Sequence, residues 1–117
     1  MTSCDQASLI DIVKAARLAL EFTEGMSQQE FELDLKTQSA VIYQIAIIGE
    51  AVKRLSPEFQ QEHPEIPWSA MAGMRDKLIH DYEGVDVSRI WLTLQNSIPQ
   101  LLVLIEPLLA SDIDFQS

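Results

Sequence analysis

The sequence predicts an all-α protein: one domain over residues 1–117, built as a bundle of four to five helices. Two observations predict this class. The chain has only four glycines, and long stretches repeat apolar residues with a helical period. A third, the length of 117 residues, sets one domain with a core of its own, which dimerisation would reinforce.

The first helix is expected from Asp5 to about Thr23, where Leu9, Ile12, Val13, Ala16 and Leu20 fall on one face. Asp5 or Ser3 would cap it, and Gly25 would follow its end. Ser27 and Glu30 have the spacing of a capping box and predict a short helical turn before Leu33. A second long helix is expected from Asp34 to Leu55. Val41, Ile45, Ile48, Val52 and Leu55 form its main stripe, and Ala40, Ile42, Ala46, Ile47 and Ala51 widen it, so it should have neighbours on two sides. Gly49 in its middle costs ~1 kcal/mol of helix propensity; close approach of another helix is the usual reason to accept that cost. Ser56-Pro57 opens a short helix, and His63–Trp68 reads as a proline-stiffened loop. Pro67 opens a third helix, expected to run through Met71, Met74 and Leu78 towards Tyr82 and to end at Gly84. Asp86 caps a fourth, Val87–Ala110, which Pro99 should kink or divide. Residues 111–117 read as a loose tail.

Composition excludes several functions. Cys4 is the only cysteine, so cysteine-rich zinc sites and an intramolecular disulfide are ruled out, in keeping with a reducing cytoplasm. No apolar run reaches the roughly 18–20 residues of a membrane span, and no signal-peptide pattern is visible, so the expected location is cytoplasmic, away from the membrane. The net charge of −10 opposes nucleic acid; an RNA-directed activity therefore requires a local basic site or a basic partner.

One segment concentrates reactive groups: Met74-Arg75-Asp76-Lys77-Leu78-Ile79-His80-Asp81-Tyr82. Arg75 can clamp a phosphate, with Lys77 as a weaker phosphate contact. His80 can exchange protons near neutral pH. RNA supplies its own nucleophile, the 2′-hydroxyl, so no metal or cofactor is needed. On a regular helix Arg75 and Tyr82 stack, while His80 lies about 140° away from Arg75. Convergence of Arg75 and His80 then requires a distorted helix end or a two-fold dimer with a shared cleft. The same residues also read as an ordinary salt-bridge partner and a surface histidine, with Asp76 or Asp81 paired to the cations. His63 reads as structural, Trp68 and Trp91 as core or interface anchors, and Lys53-Arg54 as complements of a helix dipole.

Arg75-x4-His80-x-Tyr82 resembles the R-x4-H-x-Y motif of HepT-like proteins of the HEPN superfamily. Lys36-Thr37-Gln38, Ile48-Gly49-Glu50-Ala51, His63-Pro64-Glu65-Ile66-Pro67-Trp68 and Gly84-Val85-Asp86 occur in the family's order, from about Asp11 to Leu109. The resemblance implies a helical homodimer that cuts RNA (tRNA or mRNA) without metal, with Arg75, His80 and Asp76 as catalytic residues. It implies the toxic half of a type VII toxin–antitoxin module. The partner would be an MntA-type nucleotidyltransferase antitoxin that neutralises the toxin by AMPylation of Tyr82. A second reading, which the acidic charge favours, is a non-catalytic nucleotide-binding regulatory subunit of a nucleotidyltransferase.

Overall fold

The computed structural model describes the backbone of residues 1–80 and 84–116, and the side chains of residues 1–79 and 84–109. Its helices are α1 (Ser3–Phe22), α2 (Gln28–Glu32), α3 (Leu35–Arg54), α4 (Pro57–Glu62), α5 (Trp68–Ala72), α6 (Val87–Leu92) and α7 (Ile98–Gln116). A 3-10 turn (Arg75–Lys77) and a pair of two-residue strands, β1 (Ile79–His80) and β2 (Gly84–Val85), separate α5 from α6; a π turn (Thr93–Ser97) joins α6 to α7. The all-α expectation holds, although three long units, α1, α3 and the interrupted α6–α7 helix, carry the bundle and the remaining helices are short.

The core follows the predicted stripes. Leu9, Ile12, Val13 and Ala16 of α1 meet Val41, Ile45, Ile48 and Val52 of α3, and Ile98, Leu101 and Ile105 of α7 close the third side. Each such aliphatic side chain contributes about 1.5–3 kcal/mol by leaving water. The expected turn at Ser27 is α2, with a reciprocal capping box between Ser27 and Glu30. Asp34, Ser56 and Asp86 cap α3, α4 and α6 through their side chains.

Three expectations need correction. Thr2 caps α1, and Asp5 is the third residue of that capping box; the hydroxyl preceding the expected start satisfies the first orphan amides. The third helix does not reach Tyr82: α5 stops at Ala72, before Gly73. The backbone stays helical to Gln116, since no glycine or proline after Pro107 breaks it. Pro99, as expected, marks a division of the fourth helix, at the π turn just before it. It has no N–H for the carbonyl four residues back, and the ladder is already shifted from Thr93 to Ser97.

Asp5 has a second task invisible to local pattern. Buried to 1% exposure, it accepts hydrogen bonds from the Ser56 amide at 2.7 Å and the Ser56 hydroxyl at 2.8 Å, tying the start of α1 to the start of α4. Burial pushes its carboxyl up, but the hydrogen bonds from Ser56 and Thr2 outweigh this and hold it below the usual aspartate range. The folded protein thus binds this proton less tightly than the unfolded chain. The stabilisation is complete above about pH 4 and fades as pH falls through the lower, folded value. Asp5→Ala should cost about 2–3 kcal/mol in urea unfolding at pH 7. The variant should also lose part of the wild type's fall in stability below about pH 4; an unchanged acid limb would refute this role.

Candidate functional site

The motif segment is positioned from both ends. Upstream, Trp68 is buried and its indole N–H donates to the carbonyls of Gln60 (3.2 Å) and His63 (3.0 Å), fixing the loop that enters α5. His63 packs against Phe59 with ring centroids 4.8 Å apart and lies 3.5 Å from a Glu65 oxygen, which supports its structural reading. Trp91 likewise packs on Phe31, at 5.5 Å between centroids. Gly49 then lets α5 settle onto α3: a Cβ at position 49 would stand 3.0 Å from the Ala72 carbonyl oxygen. The close approach expected of Gly49 is therefore real, and its neighbour is the last residue of α5.

Downstream of Gly73 the chain tightens. Met74 donates to Met71 (3.4 Å) and Leu78 to Arg75 (3.0 Å), and Leu78 is buried to 1% exposure. β1 then pairs antiparallel with β2, Ile79 opposite Val85 and His80 opposite Gly84. Gly84 has φ +81°, a left-handed conformation that glycine adopts without the Cβ penalty. The Asp86 amide donates to the Leu78 carbonyl at 2.8 Å, which closes the hairpin onto the 3-10 turn. The helical geometry expected for Arg75 and His80 is thus replaced by a turn followed by extended backbone. The helix end is distorted, one of the two routes by which these residues could converge.

Arg75, Asp76 and Lys77 share the 3-10 turn and are all exposed. The guanidinium lies 3.7 Å from Asp76, with side chains 51% and 80% exposed; so loose and wet a pair is worth ~0–1 kcal/mol and leaves Arg75 donors facing solvent. The backbone of His80 is in β1, while its side chain, Asp81 and Tyr82 lie outside the described residues. Among the described residues, no three His, Cys, Asp or Glu side chains gather as a metal site, and no helix is long and apolar enough to cross a membrane.

Beside the turn is a groove of about 480 Å³ between α5 and the α6–α7 helix. Lys77 and Arg89 line it together with Met71, Met74, Thr93 and Gln100. Sequence reading missed Arg89, because it required knowing that the start of α6 folds back beside the motif. Three of the eight cations thus belong to the 3-10 turn or this groove. Arg17, Lys53 and Arg54 are engaged with Glu106, Glu50 and Asp11 elsewhere. A second groove of about 720 Å³ between α1 and α7 contains none of the motif residues.

Residues 12–108 match the family described as “Ribonuclease HepT-like”. The chain is 52% identical over 93 residues to the “Probable ribonuclease HepT” of Thermococcus cleftensis, covering 80% of this chain and 84% of the relative. It is 41% identical over 104 residues to a “Putative RNase” of Methanocaldococcus jannaschii, covering 89% and 86%. A “Putative RNase” of Caldanaerobacter subterraneus subsp. tengcongensis shares 42% over 90 residues, covering 77% and 80%. No solved structure matches the chain at a significant level.

Gly49→Val should destabilise the protein by about 1–3 kcal/mol through overpacking against α5. Gly49→Ala should stay within ~1 kcal/mol of wild type, because gained helix propensity offsets the tight contact. Denaturant unfolding of both variants measures this; equal, small effects would show that α5 does not need the glycine.

Proposed function

Since this chain belongs to the HepT-like ribonuclease family, we propose that it is a cytoplasmic, metal-independent endoribonuclease and the toxic component of a type VII toxin–antitoxin module. The observation that carries the reading is the exposed Arg75 in its 3-10 turn, five residues before His80, in a motif held from both sides by buried anchors. In an otherwise acidic protein this supplies the local positive charge that an RNA phosphate demands.

The chemistry proposed is transfer within RNA. His80 accepts the proton of a 2′-hydroxyl, whose oxygen attacks the adjacent phosphorus. The P–O5′ bond breaks, and the departing oxygen gains a proton, giving a 2′,3′-cyclic phosphate and a 5′-hydroxyl end. Arg75 stabilises the charge that builds on the non-bridging oxygens. Lys77 holds phosphate, and Asp76, alongside Arg75, orients a proton or the guanidinium. The proposed assembly is a two-fold homodimer with both Arg75/His80 pairs around one cleft. Support comes from exposed Leu33, Leu35, Tyr43 and Leu92 at α2, α3 and α6, elements that touch one another and, through α3, the 3-10 turn. Apolar surface of this kind is what a second copy would cover.

The proposed partner is an MntA-type nucleotidyltransferase. Attack by the Tyr82 hydroxyl on the α-phosphorus of ATP would release pyrophosphate and leave adenylate on the phenol. The added phosphate, seven positions along the chain from Arg75 and two from His80, would compete with RNA for the guanidinium.

With purified protein and RNA in EDTA, Arg75→Ala should lower kcat/KM by about 100–1,000-fold and His80→Ala by about 100–10,000-fold, both without loss of fold by circular dichroism. Full cleavage by either variant would remove that residue from the mechanism, and cleavage that disappears in EDTA would remove metal independence. Tyr82→Phe should keep cleavage and resist the nucleotidyltransferase; complete silencing of that variant by the partner with ATP would contradict inhibition through Tyr82.

A further inference from the structure

The groove beside the motif has a mixed character that the cleavage chemistry alone does not use. Lys77 and Arg89 bring two cations to it from the 3-10 turn and α6. Met74 and Leu104, both half-buried, supply apolar surface over the buried Met71 and Leu101, and Ser97 and Gln100 are exposed polar side chains on its α6–α7 wall. Methionine thioethers pack well against aromatic rings, and paired cations with hydroxyl and amide groups suit a phosphate, a ribose and the edge of a base. The volume of about 480 Å³ falls within the range of small-ligand sites, roughly 300–1,000 Å³, and is ample for one nucleotide.

Position selects RNA over other anions. Met74 and Lys77 are groove residues flanking Arg75 and Asp76 in the same turn. In a 3-10 turn, two residues span roughly 4 Å of rise, less than the spacing between successive phosphates of an extended strand. Lys77, two residues after Arg75 in the same turn, thus brings the groove within about one nucleotide of a scissile phosphate held at Arg75.

We infer that this groove is an RNA subsite. It receives the nucleotide flanking the scissile phosphate, with its backbone phosphate on Lys77 and Arg89 and its base against Met74 and Leu104. The inference rests on the ribonuclease reading and deepens it: Arg89 and the α6–α7 wall become binding determinants separate from the reacting groups. The π turn matters here because it sets the rotation of Ser97 and Gln100 relative to Arg89. The Thr93 hydroxyl, bonded to the Arg89 carbonyl at 2.9 Å, is a clasp at that junction.

The probe is a fluorescent single-stranded oligonucleotide fully 2′-O-methylated, which lacks the attacking hydroxyl and binds without being cut. Anisotropy titrations should show at least a tenfold loss of affinity for Lys77→Ala/Arg89→Ala. The slope of log affinity against log salt should also flatten by about 0.7, the value for one lost phosphate contact on a single strand. Ala70→Trp, which fills the groove from an exposed position on α5, should lose affinity without changing that slope. Lys14→Ala, on α1, should bind like wild type. On unmodified RNA Arg89→Ala should raise KM several-fold while kcat changes less than threefold. Wild-type affinity in the double variant and in Ala70→Trp, or equal weakening by Lys14→Ala, overturns the subsite even if the protein cuts RNA. Conversely, if wild type binds the oligonucleotide with this pattern of variants but never cuts RNA, the ribonuclease reading fails and the subsite stands. Displacement of the oligonucleotide by a short polyglutamate at equal concentration would assign the groove to acidic peptides and overturn it.

Discussion

The Ala72 carbonyl oxygen lies only 3.0 Å from where a Cβ at position 49 would stand, and the geometry of the motif depends on that close approach. Because α5 can seat directly on the backbone of α3, the chain leaves α5 at a fixed height. Gly73, the 3-10 turn and the buried Leu78 then have little freedom in where they place Arg75. From the other side, the Asp86–Leu78 hydrogen bond and the left-handed Gly84 hold the hairpin that carries His80. Two backbone contacts and two glycines thus do what a longer helix could not: they change the chain from helical to extended within the motif. A mid-helix glycine and its propensity cost are the consequence of needing that change close to α3.

Charge distribution follows a similar economy. A protein with net charge −10 repels polyanions at long range, but Debye screening confines that repulsion to about 10 Å or less at physiological salt. Within that distance the local cations decide. Arg75, Lys77 and Arg89 lie at the turn and groove, whereas Arg17 and Arg54 brace α1 against α7 and α3 through half-exposed ion pairs. On the proposed reading, an acidic exterior rejects loose association with nucleic acid and leaves recognition to the basic surface of the turn and groove.

Much of the fold was legible because long apolar stripes and capping residues act locally. Leu9 through Ala16, Val41 through Val52, the Ser27/Glu30 box and Asp86 all behave as their spacing dictates. What the sequence concealed was tertiary. Asp5 looks like a helix cap, yet it also anchors Ser56, 51 positions away. The segment from Gly73 to His80 has helical composition, but packing at Gly49 and pairing with Gly84 override that propensity, so the expected angular relation of Arg75 to His80 does not apply. Arg89 carried no signal in one dimension, since its significance lies in facing the same groove as Lys77. The motif itself was legible by resemblance; residue type named the chemistry, and only the fold could show which groups share a groove with Lys77.

The central proposal is that a two-fold dimer forms a cleft in which Arg75 of one copy and His80 of the other act on the same phosphodiester. Subunit mixing addresses it directly. Chains carrying Arg75→Ala and chains carrying His80→Ala, each inactive alone, are unfolded together, refolded and assayed on RNA in EDTA. Mixed dimers retain one intact guanidinium and one intact imidazole on opposite subunits, so the account predicts that cleavage returns to a sizeable fraction of wild type. Mixtures that form dimers yet stay as inactive as their parents would contradict it.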